Sequence, residues 1–283
     1  MTKVAEATTE AAAQLAPSTS ARRDAELLLL HVTGLTRADL LTHPERELTE
    51  RQMQHYSAAI ARRAQNEPLQ HITGTQEFFG RSFIVNRLVL VPRPETEHLV
   101  EAALAIHPQP RRIRPLRIVD IGTGSGILAI TLALELPNAS VTATDVSPEA
   151  LAVAQANARA LATAERIRFL ESDLFAALAG ECFDCIVSNP PYVATSEVLE
   201  PEVRDYEPAT ALYAGMDGLA VYRRLIPEAF EHLEPGGHLL LEIGHGQRDA
   251  IGDLLRAGGF DSIEFIDDLQ RIPRVAVAQR PLA

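Results

Sequence analysis

Residues 118–126 read Ile118-Val119-Asp120-Ile121-Gly122-Thr123-Gly124-Ser125-Gly126, an apolar run that passes directly into three alternate glycines. The run suits a buried parallel strand. Glycine supplies the positive φ and the close backbone approach that a tight strand-to-helix turn needs when it faces a ligand. A helix predicted over roughly 126–135 would turn its N-terminus toward that ligand, where it favours a carboxylate or a phosphate. This one stretch therefore predicts a strand, a ligand-facing loop and a helix, the opening unit of a doubly wound α/β sheet.

Downstream the same alternation repeats. Strands are predicted at 117–121, 140–144, 166–170, 183–188, 238–243 and 274–278, with helices near 147–161, 218–232 and 247–257. In a mainly parallel sheet of this kind ligands bind beyond the carboxyl ends of the strands, so the residues at those ends are the candidates for function. Asp145 ends the second strand, 19 residues after Gly126, where a carboxylate can accept both hydroxyl hydrogens of a ribose. The alternative is that it serves as a capping neighbour of the helix that Ser147-Pro148 begins. Asp173 and Leu174 end the third strand, where an acceptor and a backbone N–H could meet the amine and a ring nitrogen of adenine. The glycine loop alone does not choose a cofactor, because Gly124-Ser125-Gly126-Ile127-Leu128-Ala129 also satisfies the dinucleotide pattern G-x-G-x-x-A.

The fourth strand closes on Asn189-Pro190-Pro191-Tyr192. Prolines cannot donate hydrogen bonds, so the Pro190 carbonyl and the Asn189 side-chain oxygen are free acceptors on a stiff backbone. Two acceptors can converge on one –NH2 group. An amide nitrogen is a weak nucleophile, and holding both of its N–H bonds would aim the lone pair at an electrophilic methyl. Asn189 and Pro190 are the candidate catalytic acceptors, Pro191 and Tyr192 complete the substrate-binding set, and Tyr192 would form a flat wall against the planar amide. His238 and His245 are the nearest candidate proton acceptors.

Upstream of the sheet the first 70 or so residues read as helices only. A Leu-dense helix over 22–31 follows Ser18 and Ser20 as capping serines and stops near Gly34, and Thr49-Glu50-Arg51-Gln52 is a capping box that opens a helix reaching about residue 64. From Gln76 the period changes, and Phe78, Phe79, Phe83, Val85, Leu88 and Val91 around Asn86-Arg87 predict a β-hairpin with its turn at those two residues. Pro108, Pro110 and Pro115 mark a loop. The expected domains are a helical bundle over 1–74, a hairpin connector over 75–95 and the α/β domain over 96–283.

The formal net charge is -12, and residues 1–75 carry 8 Lys+Arg against 9 Asp+Glu, so nearly all of the acidity falls on the larger domain. Gripping a nucleic-acid backbone calls for a basic surplus that this chain lacks. Arg111, Arg112, Arg114 and Arg117 form the only dense basic run and read as a solvated linker. No signal peptide and no membrane span is expected, which predicts a cytoplasmic protein. Cys182 and Cys185 are spaced C-x-x-C, but they fall at a strand and no second pair completes a zinc site, so they read as ordinary core and surface thiols with no metal.

The chain resembles the PrmC/HemK family, the protein-(glutamine-N5) methyltransferases of peptide chain release factors. The resemblance is carried by Pro68-Leu69-Gln70-His71-Ile72-Thr73-Gly74, by Val91-Pro92-Arg93-Pro94-Glu95-Thr96-Glu97, by the glycine loop, by Ser188 to Tyr192 and by Tyr206-Glu207-Pro208. It implies a seven-stranded, Rossmann-like class I methyltransferase sheet that uses S-adenosylmethionine and releases S-adenosylhomocysteine. Gly122, Thr123, Gly124, Ser125, Gly126, Asp145, Asp173, Leu174 and Asn189 would bind that cofactor. Asn189 to Tyr192 would surround the glutamine of a Gly-Gly-Gln loop, and the helical domain would grip a class 1 release factor, with the enzyme monomeric. Arg93, Glu95 and Thr96 would form either a lid over the methionyl end or a helix cap held by its own ion pairs. An exocyclic-amine methyltransferase of adenine or guanine is the nearest alternative, and a nicotinamide-dependent oxidoreductase is the alternative from another class.

Overall fold

The computed structural model describes residues 2–16, 18–107 and 114–282. Pro108, Pro110, Arg111 and Arg112, which carried the expected loop and half of the basic run, lie outside the described residues. In chain order the strands are β1 (Thr75–Phe78), β2 (Arg81–Ile84), β3 (Leu116–Ile121), β4 (Ala139–Asp145), β5 (Ile167–Glu171), β6 (Phe183–Ser188), β7 (Leu233–Glu242), β8 (Asp261–Asp267) and β9 (Pro273–Gln279). β1 and β2 form a two-stranded sheet, and the others form one sheet in the order β5-β4-β3-β6-β7-β9-β8. Only β9 runs against its neighbours β7 and β8.

The central strands have the composition that such a sheet demands. β6 is buried along its whole length and β3 at every residue but Arg117, because helices cover both faces. On one face Phe78, Phe83, Leu99, Ile130 and Leu132 pack against Ile118, Cys185 and Val187. On the other, Tyr222, Leu225, Ile251 and Leu255 pack against Val119, Ile121, Ile186 and Leu241. Each such aliphatic side chain, fully buried, contributes roughly 1.5–3 kcal/mol. Three features differ from the sequence reading. β8 has no predicted counterpart, β7 begins five residues before the expected 238, and the hairpin turn is not at Asn86-Arg87.

The hairpin turns instead at Phe79-Gly80, with φ of 51° and 69°. Positive φ at both central residues is the geometry of a two-residue hairpin loop, and an aromatic residue rarely takes it. After Ile84 the Asn157 side chain replaces a strand partner, accepting from Ile84 N at 2.7 Å and donating to Ile84 O at 3.0 Å. Asn86 does form a local turn, accepting from Leu88 N at 2.9 Å, but one that leads into coil.

The chain divides into two compact units, Met1–Thr75 with Leu199–Tyr206, and Gln76–Val198 with Glu207–Ala283. The first is helical around Leu28, Leu29, Tyr56 and Ile60. Its helix Glu50–Arg63 opens with the expected capping box at Thr49 and Gln52, and Gly34 ends the helix Ala21–Thr33 in the left-handed conformation. Ser20 occupies the N-cap position without capping, because its hydroxyl donates to Asp24 at 2.9 Å. Asp24 in turn accepts from Arg63 at 2.7 Å, and Arg63 also reaches Glu202 at 2.8 Å, which ties the helix Pro201–Tyr206 into this unit. Tyr206 adds a hydrogen bond from its hydroxyl to Gln65 O at 2.8 Å.

Candidate active site

β3 and β6 are neighbours at the point where the strand order reverses, so a crevice opens beyond their carboxyl ends. Ser188 at the end of β6 donates to Ile121 O at the end of β3 at 2.6 Å, which holds the two strand ends, and the loops that follow them, in register. The cavity there is lined by residues 121–125, 145–147, 172–174 and 188–191, with Leu88, Pro92 and Arg224 on its rim. The structure thus brings both sequence motifs to one site. It also recruits the coil after β2, which the hairpin reading had placed in a strand.

Asp120 organises the glycine loop from below. Its Oδ2 accepts from Thr123 Oγ1 at 2.6 Å and from Ala129 N at 3.2 Å, while Oδ1 finds no hydrogen-bond partner among the described residues. Burial pushes this carboxyl up to about 7 against the lowering effect of those two bonds. Gly122 and Gly124 take φ of 74° and 55°, and the space where a Cβ would stand is open at both, so bare backbone faces the cavity. Gly126 has another task. A Cβ there would stand 2.9 Å from Ile130 Cδ1 and 3.1 Å from Ala154 Cβ, so its bareness lets neighbouring helices pack, and it does not line the cavity.

Asp145 sits at the mouth of β4 with Oδ2 accepting from Gly124 N at 2.8 Å and Oδ1 from Ser147 N at 2.9 Å. Each oxygen keeps acceptor capacity for a further donor. Burial raises this carboxyl, with the Ser147 and Gly124 amides opposing the rise. Asp145 thus ties the glycine loop to the residue that caps the next helix, the cap itself being the Ser147 hydroxyl on Ala150 N at 3.0 Å. Asp173 is largely exposed and pairs with Arg224 at 2.8 Å on the rim, whereas Leu174, held at φ 48°, lines the cavity and packs on the core. An open backbone cradle, a doubly held acid and apolar walls at Val146 and Leu174 fit an adenosyl group.

Asn189 lines the cavity, and Nδ2 donates to Thr96 Oγ1 at 3.3 Å. Thr96 Oγ1 donates to Glu242 Oε2 at 2.6 Å. Neither Thr96 nor Glu242 lines the cavity, and both are buried. Thr96 stands at the N-cap position of the helix Glu97–Ile106 without a side-chain cap bond, and Arg93 pairs with the buried Glu207 at 2.7 Å. Tyr192 also lies outside the cavity lining, its ring packed on Gly244, while its carbonyl accepts from Gln247 Nε2 at 3.0 Å. His245 is exposed and His238 meets His107 edge-on at 5.7 Å, so neither histidine reaches the cavity. Cys182 and Cys185 are free thiols, the second buried in β6. Arg114 and Arg117, the described half of the basic run, face Asp184 at 2.8 Å and Glu181 at 3.6 Å.

Glu242 was not read from the sequence, although it ends the apolar run of β7 and so obeys the strand-end logic that found Asp145. Burial pushes it up to about 7, Glu95 adds to the rise, and Thr96, Arg274 and Asn189 oppose it. Relative to the usual glutamate range near 4.5, the folded chain keeps a proton that the unfolded chain has lost. Glu242 therefore destabilises the fold increasingly as pH rises from about 4.5 through about 7, and fully above that. Melting wild type beside Glu242→Gln at pH 5 and pH 8 checks this. The variant's Tm is expected to gain on wild type toward pH 8, and the opposite trend would refute the sign.

Comparison with known proteins bears on the same residues. The PrmC N-terminal domain matches residues 6–74, and the methyltransferase small domain matches residues 103–204. A release factor glutamine methyltransferase of Koribacter versatilis is 47% identical over 95% of this chain and 94% of its own length, and one of Escherichia coli K12 is 42% identical over 95% and 96%. The chain belongs to the release factor glutamine methyltransferase family. It is an enzyme of the methyltransferase class. Among solved structures, a Pyrococcus furiosus methyltransferase matches with a TM-score of 0.53 at 21% identity, covering 72% of this chain and 91% of that one. The Thermus thermophilus 16S rRNA N2 G1207 methyltransferase in complex with AdoMet and guanosine matches with a TM-score of 0.53 at 21% identity, over 73% and 49%. These two share the fold. Among the described residues no helix is long and apolar enough to cross a membrane, and no cluster of His, Cys, Asp or Glu could hold a metal ion.

Proposed function

We propose that this enzyme methylates the side-chain amide nitrogen of the glutamine in the Gly-Gly-Gln motif of class 1 peptide chain release factors, in the cytoplasm, with S-adenosylmethionine as donor. The observation that carries the reading is the placement of Asn189 in the cavity beside the glycine cradle, with its Nδ2 engaged behind it. Family membership, with relatives matched over nearly the whole chain, supplies the substrate class.

When bound, S-adenosylmethionine supplies a methyl group on a sulfonium leaving group. Gly122, Gly124, Asp145 and Leu174 would hold it, with Ser125, Thr123 and Asp173 at the edge of the cradle. Asn189 Oδ1 and the Pro190 carbonyl accept the two N–H bonds of the target amide and so weaken the delocalisation of its lone pair. Pro191 keeps the loop rigid, while Tyr192, outside the cavity lining with its ring on Gly244, anchors the end of the loop in place of the expected wall against the amide. Methylation would leave the amide nitrogen with one proton to lose, and Asn189 Oδ1 and the Pro190 carbonyl would hold the N–H bonds until that proton departs to solvent.

Labelled S-adenosylmethionine incubated with purified release factor, with a Gln→Ala release factor as control, tests the reaction. Label on intact glutamine alone supports the reading. Label on RNA or DNA with none on protein would transfer it to the exocyclic-amine alternative. We assign the grip on the release factor to the helical unit. A chain trimmed of residues 1–72 is expected to keep a thermal shift with S-adenosylhomocysteine and to lose protein methylation, and full activity would sink that assignment.

A further inference from the structure

An asparagine carboxamide offers two unlike faces, and only Oδ1 can hold an –NH2 group. Nothing in the shape of the side chain chooses between its two orientations, so the choice is made by what stands behind it. Behind Asn189 stands Thr96. Its hydroxyl proton is committed to Glu242 Oε2 at 2.6 Å, which leaves only lone pairs toward Asn189, and Nδ2 donates into them at 3.3 Å. Asn189 also lowers the Glu242 carboxyl, as a donor directed toward it does, and an ionised carboxylate has no proton to return. Donor direction therefore runs one way, from Asn189 through Thr96 to Glu242.

We propose that Thr96 and Glu242 are positioning residues that fix the Asn189 amide with Nδ2 inward and Oδ1 toward the cavity, which makes it an acceptor for the methyl-accepting nitrogen. The proposal rests on the reading of Asn189 as the residue that holds the target amide. Burying the carboxylate costs stability, and a carboxamide in its place could present its –NH2 to Thr96 and Asn189. A donor would then face a donor. The position thus keeps the group that works as an acceptor alone.

The groups that face Glu242 are few. Glu95 and Thr96 approach from the segment that opens the helix Glu97–Ile106, Arg274 from β9, and Asn189 and Tyr192 from the loop after β6. Tyr222 from the helix Ala220–His232 donates its hydroxyl to the Glu242 backbone carbonyl at 2.7 Å. Protonated Glu242 gains a donor, and the polarity of the chain is lost. Methyl transfer is therefore expected to fall as pH drops through the range where Glu242 takes up its proton, and Glu242→Gln is expected to remove that limb.

The test reads orientation and rate separately. The chain has five asparagines, so 15N-asparagine labelling gives few side-chain amide signals, and the pair that vanishes in Asn189→Ala belongs to Asn189. In wild type that pair is expected to exchange with solvent at least about tenfold more slowly than the pair of an exposed asparagine. Thr96→Val, which keeps the shape and loses the hydroxyl, is expected to abolish the protection and to lower kcat by roughly tenfold or more, with release-factor KM and S-adenosylhomocysteine affinity unchanged. Thr96→Ser restores the hydroxyl and is expected to recover both readouts to within about threefold. The proposal is overturned if Thr96→Val matches wild type in protection and kcat, or if Thr96→Ser is as impaired as Thr96→Val. Should wild type fail to methylate release factor, the substrate reading falls, while the amide signals of wild type and Thr96→Val still decide the orientation.

Discussion

Asn189→Ala is expected to lower the single-turnover rate of methyl transfer to release factor by roughly 10²–10³-fold, the range seen when one preorganised hydrogen-bond partner is removed from a reacting group. The substitution removes Oδ1, leaving the Pro190 carbonyl to hold one N–H bond while the other turns freely. Orientation of the lone pair is lost together with the restraint on delocalisation, so the effect belongs to the transition state and appears in kcat. Asp145 and the glycine loop are untouched, so the thermal shift with S-adenosylhomocysteine is expected to remain. Loss of the Nδ2 bond to Thr96 removes about 1 kcal/mol of stability, which a melt resolves. A rate within tenfold of wild type would show that the cavity orients its substrate by other means.

The parts of this site that were legible in the sequence are those whose chemistry is local. Glycines at 122 and 124 and prolines at 190 and 191 dictate backbone geometry wherever they occur, and an acid such as Asp145 at a strand end is placed by periodicity alone. What escaped depends on partners far away in sequence. Thr96 and Glu242 are 146 residues apart, and nothing near Thr96 distinguishes a helix-opening threonine from one that donates to a buried acid. The hairpin turn escaped because Phe79 takes a conformation its side chain disfavours, while Asn157, 73 residues beyond Ile84, supplies the bonds that stop pairing there. β8 escaped because its register shifts twice and Ser262 takes φ 47°, which interrupts the strict alternation by which an edge strand is read.

The misfit of local rules is itself informative at Glu242. A glutamate that ends a run of leucines, fully buried and pushed up to about 7, works against stability near neutral pH. Such conflicts between packing and polarity are concentrated where function requires them. Asp120 shows the same conflict under the glycine loop, with one oxygen engaged in holding the turn and the other without a partner among the described residues. The two acids stand behind the two halves of the site, one below the glycine cradle and one behind Asn189.

Gly218→Ala is expected to cost about 3 kcal/mol and to disable the substrate loop with it. Gly218 holds φ 73°, and an added Cβ would stand 2.3 Å from the Tyr192 carbonyl oxygen, 2.9 Å from Gln247 Nε2 and 3.1 Å from Tyr192 C. A flexible side chain could swing away from such a contact, but two of these atoms are backbone of the residue that ends Asn189-Pro190-Pro191-Tyr192. With two prolines before it, Tyr192 cannot yield without moving the Pro190 carbonyl, and the bond from Gln247 to Tyr192 O would break at the same time. Gly246→Ala provides the control: φ there is 80° and a Cβ meets nothing within 4 Å, so only the conformational cost of roughly 1–2 kcal/mol applies. Denaturant melts of the two variants, with methyl-transfer rates measured where both are folded, separate the contact from the backbone preference. If Gly218→Ala is no worse than Gly246→Ala in either measurement, Tyr192 is free to move and the loop is not the rigid acceptor pair on which the chemistry depends.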